Sequence, residues 1–186
     1  MNPVTSRPHR TIGGVGLWKV GCLGFIVVVG LAFVAFNELA GTSSGDVIID
    51  GIECGGMVNN GYHVHAHLSL FNKNRPVGIP VGIGLSQYGC YYWLHNHTPD
   101  GVIHIEGRNK ITPTLGTWFD IWGKPLSRSK VWFVTVKPGQ TMRVYVDRQV
   151  YTGNPRAILL QRHTDVAIEV GPPFMKPPVF RFPHGL

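Results

Sequence analysis

The chain carries no acidic residue before Glu38 and only three cysteines in 186 residues. It also lacks G-x-S-x-G, H-E-x-x-H and any phosphate loop. Without those motifs there is no identifiable Ser-His-Asp nucleophile, zincin helix or nucleotide cradle, so catalysis independent of a metal is not expected. Long helical patterns are scarce, whereas 24 glycines and 14 prolines punctuate the chain. Such a composition favours short strands joined by tight turns. With 44% hydrophobic and 15% charged residues, 186 positions suit one folded domain rather than a disordered chain. The expected fold is mainly β: a single β-sandwich or barrel-like domain with one short helix.

The missing acids shape the N-terminus. Val20 to Phe36 is uncharged, with Arg7, Arg10 and Lys19 before it and Glu38, Asp46, Asp50 and Glu53 after it. Positive residues stay on the cytoplasmic side. At about 1.5 Å per residue this stretch spans roughly 25 Å as a helix, and it crosses a bilayer if Leu39 and Ala40 join and Lys19 snorkels outward. Cleavage as a signal peptide is the competing expectation, but Glu38 occupies the place where a small residue is wanted. The expected organisation is therefore a cytoplasmic tail over 1–16, a transmembrane signal anchor over 17–40 and a linker over 41–46. A β-rich histidine domain follows over 47–171, then a proline-rich tail over 172–186. This places the protein in the cytoplasmic membrane with its C-terminal domain outside the cytoplasm.

That topology removes the basic balance as a nucleic-acid signal. Three of the 17 Lys and Arg precede the apolar stretch and all 10 Asp and Glu follow it, leaving 14 basic against 10 acidic side chains outside. A nucleic-acid partner is not expected, and Lys124, Arg128 and Lys130 read as a solvated basic face. Two cysteines, Cys54 and Cys90, remain in a compartment that permits disulfides, and pairing is their expected state.

What the chain has in quantity is histidine. Six of nine fall between His63 and His104: His63, His65 and His67 in one run, then His95, His97 and His104. Successive side chains on a strand point to opposite faces, so a period of two puts the imidazoles of a run on one side of a sheet. The second run lies in a predicted hairpin about the turn Thr98-Pro-Asp-Gly101. In that register His97 faces Val102, His95 faces His104 and Trp93 faces Glu106, while Asn96, Ile103 and Ile105 point the other way. In a regular strand Cys90 lies on the face opposite His95, which makes it a poor partner for a site there.

Neutral imidazole suits zinc, copper, nickel and iron, so this pattern predicts a transition-metal site, with zinc or copper as the ion. His63 and His67 are about 13 Å apart along an extended strand and do not easily serve one ion together. The expected ligands are His63, His65, His95 and His97, with His67 or His104 completing the site or forming a second. Glu106 and Asp100 are the nearby carboxylates, as ligands, as imidazole-orienting groups or as general base on a metal-bound water. A metal-dependent hydrolase, hydratase or oxidoreductase is thus the alternative to simple metal binding. A structural or interaction module with pH-responsive histidines is the other. His163 and His184 read as surface or satisfied core residues.

Elsewhere, Thr114 to Trp122 is a predicted helix with Thr114 as N-cap, an aromatic stripe for the core, and Gly123 and Pro125 at its end. Predicted strands cover 47–52, 62–71, 77–84, 90–97, 102–106, 131–136, 142–146 and 166–170.

The region after the linker is similar to a family of uncharacterised bacterial envelope proteins. The likeness rests on His63 to His67, the Cys90 to Glu106 hairpin and Leu115-Gly-Thr-Trp-Phe-Asp-Ile-Trp-Gly123. It implies an envelope location and brings no activity. Gly61-Tyr-His-Val-His65 resembles the copper-ligand strand of copper-zinc superoxide dismutases over those five residues, without their later glycine-rich cysteine motif. The Cys, His and Met loop of cupredoxins has no counterpart, since no Met follows Cys90 and His95 within the same loop.

Overall fold

Alternation over 61–72 gives the longest strand of the domain and decides its architecture. The computed structural model describes residues 48–56, 61–85 and 90–186. The expected cytoplasmic tail, membrane anchor and linker lie outside these residues. Among the described residues no helix is long and apolar enough to cross a membrane.

In chain order the strands are β1 (Cys54–Gly55), β2 (Tyr62–Asn72), β3 (Arg75–Val77), β4 (Tyr91–Tyr92), β5 (Leu94–His95) and β6 (Val102–Gly107). After helix α1 (Leu115–Trp122) come β7 (Lys130–Val131), β8 (Val134–Thr135), β9 (Thr141–Val146), β10 (Gln149–Val150), a 3-10 turn at Pro155–Ala157, and β11 (Asp165–Gly171). The principal sheet is seven-stranded in the order β10-β9-β11-β2-β6-β5, with β3 also on β2. Its β11 and β2 are parallel; the other pairs are antiparallel. The domain is mainly β as expected, but the sandwich or barrel is corrected: one large mixed sheet is accompanied by α1 and two small two-stranded sheets.

The two faces of the sheet differ in chemistry. Val64, Ala66, Leu68 and Leu70 on β2, Ile103 and Ile105 on β6, and Val166, Ile168 and Val170 on β11 are all buried in the core. Leu115, Trp118 and Phe119 of α1 join that core at zero exposure. The alternate residues of the same strands are His63, His65 and His67, then His104 and Glu106, then Asp165 and Glu169. One strand period therefore separates hydrophobic burial from the candidate chemistry.

Local turn chemistry explains where strands end. Lys73-Asn74 and Asp147-Arg148 both hold two consecutive positive φ values and close the β2-β3 and β9-β10 hairpins. Trp132, at φ 52, starts the turn that folds the predicted strand 131–136 back on itself as β7-β8. The predicted strand 77–84 is mostly turn beyond Val77, and 47–52 supplies only the Ile49 to Ile52 bridge around Asp50-Gly51. In both places backbone turns replace ladder bonds. Helix α1 matches expectation: Thr114 Oγ1 accepts from the Thr117 amide, and Gly123 caps the end at φ 66.

The predicted strand 90–97 changes partner midway. β4 pairs with β1, whereas β5 pairs with β6, and the Trp93 amide between them donates to Glu53 O. The Cys54–Cys90 disulfide closes the β1-β4 side with Cα atoms 5.4 Å apart. Gly101 ends the following turn at φ 83, and a Cβ there would meet the Leu68 carbonyl oxygen at 2.2 Å. Gly101→Ala therefore combines a left-handed backbone with a clash against β2. We expect a loss of about 2 kcal/mol or more. Chemical denaturation reads it, and an unchanged midpoint would refute the close-approach argument.

The proline-rich tail lies along the polar side of the sheet. Phe180 stacks on His67 at 3.6 Å between ring centroids, its amide donates to Asp165 Oδ2, and the Met175 amide donates to Glu169 Oε1.

Candidate metal centre

Three histidines stand in one row across three strands. His104 of β6 is the register partner of His65 on β2 and of His95 on β5. The predicted pairing of His95 with His104 is thus present, and β6 is the middle strand. His63, two residues before His65, pairs with Glu106, two residues after His104. His97 lies beyond the β5-β6 ladder rather than opposite Val102, yet its ring is 4.7 Å from that of His95 and 4.8 Å from that of His104.

The nitrogens converge. His104 Nδ1 lies 3.1 Å from His63 Nε2 and 3.2 Å from His65 Nε2. His95 Nε2 lies 3.1 Å from His97 Nε2. Two groups follow, His63, His65 and His104, and His95, His97 and His104, each with its donor atoms within 4.8 Å of one another. Either group could hold a metal ion. An ion about 2.0 to 2.1 Å from each nitrogen in a tetrahedral site separates its donors by about 3.3 Å, close to these contacts. Hydrogen bonding alone uses the arrangement less fully: His104 Nδ1 has one proton or one lone pair and serves one of its two neighbours at a time.

Tautomer and charge also favour ligation. His95 Nδ1 donates to the Tyr92 carbonyl at 2.7 Å, which leaves the lone pair on Nε2, the atom facing His97. Burial lowers the His65 pKa to about 4, helped by the neighbouring His63. Burial, then His65, lowers that of His104 to about 3. His95 is lowered too, chiefly by burial, although the Tyr92 carbonyl and Glu106 act in the opposite direction. These three imidazoles are neutral at neutral pH, the form that binds metal.

Glu106 is 3% exposed, and its Oε1 lies 3.5 Å from His63 Nε2 and 3.9 Å from His95 Nε2. It is the predicted carboxylate that sits at the cluster. Asp100 does not: its Oδ1 accepts from Thr98 Oγ1 and the Val102 amide, holding the turn. His67 is also placed elsewhere, with Nδ1 2.8 Å from Asp165 Oδ1 and Nε2 3.0 Å from Asp100 O. Both of its nitrogens are taken, so it belongs to the tail-binding end of the sheet. His163 stacks on Phe182 at the surface.

Several contributors escaped sequence reasoning. Asn96, fully buried between His95 and His97, accepts from the Ile83 amide and donates to Pro80 O and Thr98 O. It fixes the loop from which His97 turns back, and its place inside His-x-His was the available signal. Asp165 and Glu169 reach this face through the parallel β11-β2 pairing, which no local pattern announces. Glu169 is buried with Oε2 unpartnered, and burial raises its pKa. No protein-family model, curated protein or solved structure matches this chain.

The lowered pKa values set an acid dependence for the metal-free protein. In the unfolded chain these histidines titrate near 6.5, but in the fold His65 and His104 do so near 4 and 3. Below about pH 6.5 the unfolded state binds more protons, so their contribution is unchanged above that pH and stability falls as pH drops towards the folded values. The melting temperature should therefore decline between pH 7 and pH 5, before most carboxylates titrate. A flat or rising profile would contradict the buried, neutral imidazole cluster.

Proposed function

We propose that this is a membrane-anchored, extracytoplasmic protein whose histidine-bearing sheet face binds a transition-metal ion, zinc or copper. The carrying observation is the convergence of five imidazoles from β2, β5, β6 and the turn between β5 and β6, with nitrogen separations of 3.1 to 3.2 Å. The charge asymmetry around Val20 to Phe36 supports the anchored orientation, and the Cys54–Cys90 disulfide suits an oxidising compartment. Because both described cysteines are tied up, the donors are imidazoles and a carboxylate, a set suited to zinc or Cu(II).

A metal-dependent enzyme is the second reading, favoured by one feature: the buried Glu106 carboxylate stands beside His63, whose side chain is 46% exposed. A solvent-side ligand position there would place a bound water next to a base.

The test uses the full chain purified without an affinity tag. Elemental analysis should find zinc or copper, and the stripped protein should gain thermal stability when either ion is added. A protein that arrives metal-free and shows no thermal shift with either ion overturns the proposal.

A further inference from the structure

The two histidine groups share one member, and an imidazole has two nitrogens. His104 Nδ1 already faces His63 and His65. Its ring also lies 5.3 Å from that of His95 and 4.8 Å from that of His97, and because Nδ1 offers a single lone pair, an ion on that side needs the ring's second nitrogen, Nε2. The five donors do not form one group. A single ion with nitrogens at about 2.1 Å needs every pair of donors within about 4.2 Å, so it takes one group and leaves the other unfilled.

We propose that the sheet face holds two divalent ions with His104 between them, an inference that rests on the metal-binding reading above. The first ion is bound by His63 Nε2, His65 Nε2 and His104 Nδ1, and the second by His95 Nε2, His97 Nε2 and His104 Nε2. Filling the second position takes the remaining N–H proton from the His104 ring, which leaves to bulk water as the new metal–nitrogen bond forms. The resulting imidazolate carries negative charge between the two cations.

Three further features fit two ions. Glu106 Oε1 lies against both groups, 3.5 Å from His63 Nε2 and 3.9 Å from His95 Nε2, so one buried carboxylate offsets charge on both sides. Each group has its own exposed histidine, His63 in the first and His97 in the second, giving each ion a separate solvent side. The Tyr92 carbonyl fixes the His95 tautomer, so the second group is prepared independently of the first.

The experiment is titration of the tag-free, chelator-stripped full chain with zinc sulfate, by calorimetry and by elemental analysis after gel filtration. Two zinc ions per chain are expected, with one proton released on binding the second, read from calorimetry in two buffers of different ionisation heat. His63→Ala and His97→Ala, both at exposed positions, should each retain one zinc, and the double variant none. Saturation of the wild-type chain at one zinc overturns the two-ion centre while leaving metal binding intact. Binding of no zinc overturns the two-ion centre, and the absence of a copper-induced thermal shift as well overturns the metal-binding reading itself. Retention of two zinc ions by either single variant places the ions elsewhere and overturns the assignment.

Discussion

Replacing His104 by alanine should leave the chain unable to retain metal through purification, with affinity lowered more than about 100-fold. Loss of an outer-shell partner alone costs about 10-fold to 100-fold, and His104 is the one imidazole common to both groups. The fold should survive, because the neighbours Ile103 and Ile105 supply β6's share of the core on the opposite face. Elemental analysis after gel filtration reads metal content, and a melting curve shows that the variant is folded. Full metal content in a folded His104→Ala chain would remove His104 from the site. His67→Ala provides the contrast: both ring nitrogens are engaged by Asp165 and the Asp100 carbonyl, so metal content should not change.

The second large effect concerns the disulfide. Cys54 and Cys90 are 36 residues apart in sequence, and joining them restricts a long loop of the unfolded chain. Replacing both by serine should cost about 2 to 5 kcal/mol of stability, measured by denaturant unfolding. A functional consequence should accompany it. The bond anchors β1 to β4, and β4 carries the Tyr92 carbonyl that sets the His95 tautomer. Metal affinity should fall by about 10-fold, the scale of a lost orienting partner. Unchanged stability would contradict the structural role of the bond, and unchanged affinity would contradict the route through Tyr92.

Histidine parity made much of this face legible from the chain alone. A period of two placed His63 and His65 on one side of β2, and the Thr98 to Gly101 turn fixed His95 against His104. Those are local relationships, determined by strand geometry and a short turn. The choice of strand laid beside each is not local. That His65 would also face His104, making β6 central, requires β2 and β6 to be neighbours across 39 residues. His67 shows the same limit more sharply. It shares the parity of His65, yet the parallel β11 brings Asp165 against it from 98 residues away, and the tail adds Phe180. The sandwich expectation failed for a related reason: the predicted strands at 77–84 and 131–136 are largely turns or a folded-back ribbon, leaving fewer long strands than a second large sheet requires.

Position along the strand thus separates two kinds of histidine on one face. Towards Asp165 the imidazole is fully hydrogen-bonded and covered by the tail; towards Glu106 the imidazoles point at one another. Burial first, and then repulsion from neighbouring protonated imidazoles, keep His65 and His104 neutral. Mutual proximity that is unfavourable for cations is favourable for lone pairs around a metal.

X-ray absorption at the metal edge of the zinc-loaded or copper-loaded full chain tests this most directly. The expected spectrum has a first shell of nitrogen and oxygen alone, at about 2.0 to 2.1 Å for zinc, with outer-shell scattering from at least three imidazole rings per ion. A sulfur shell near about 2.3 Å, or a first shell without imidazole scattering, would contradict a metal held on the histidine face.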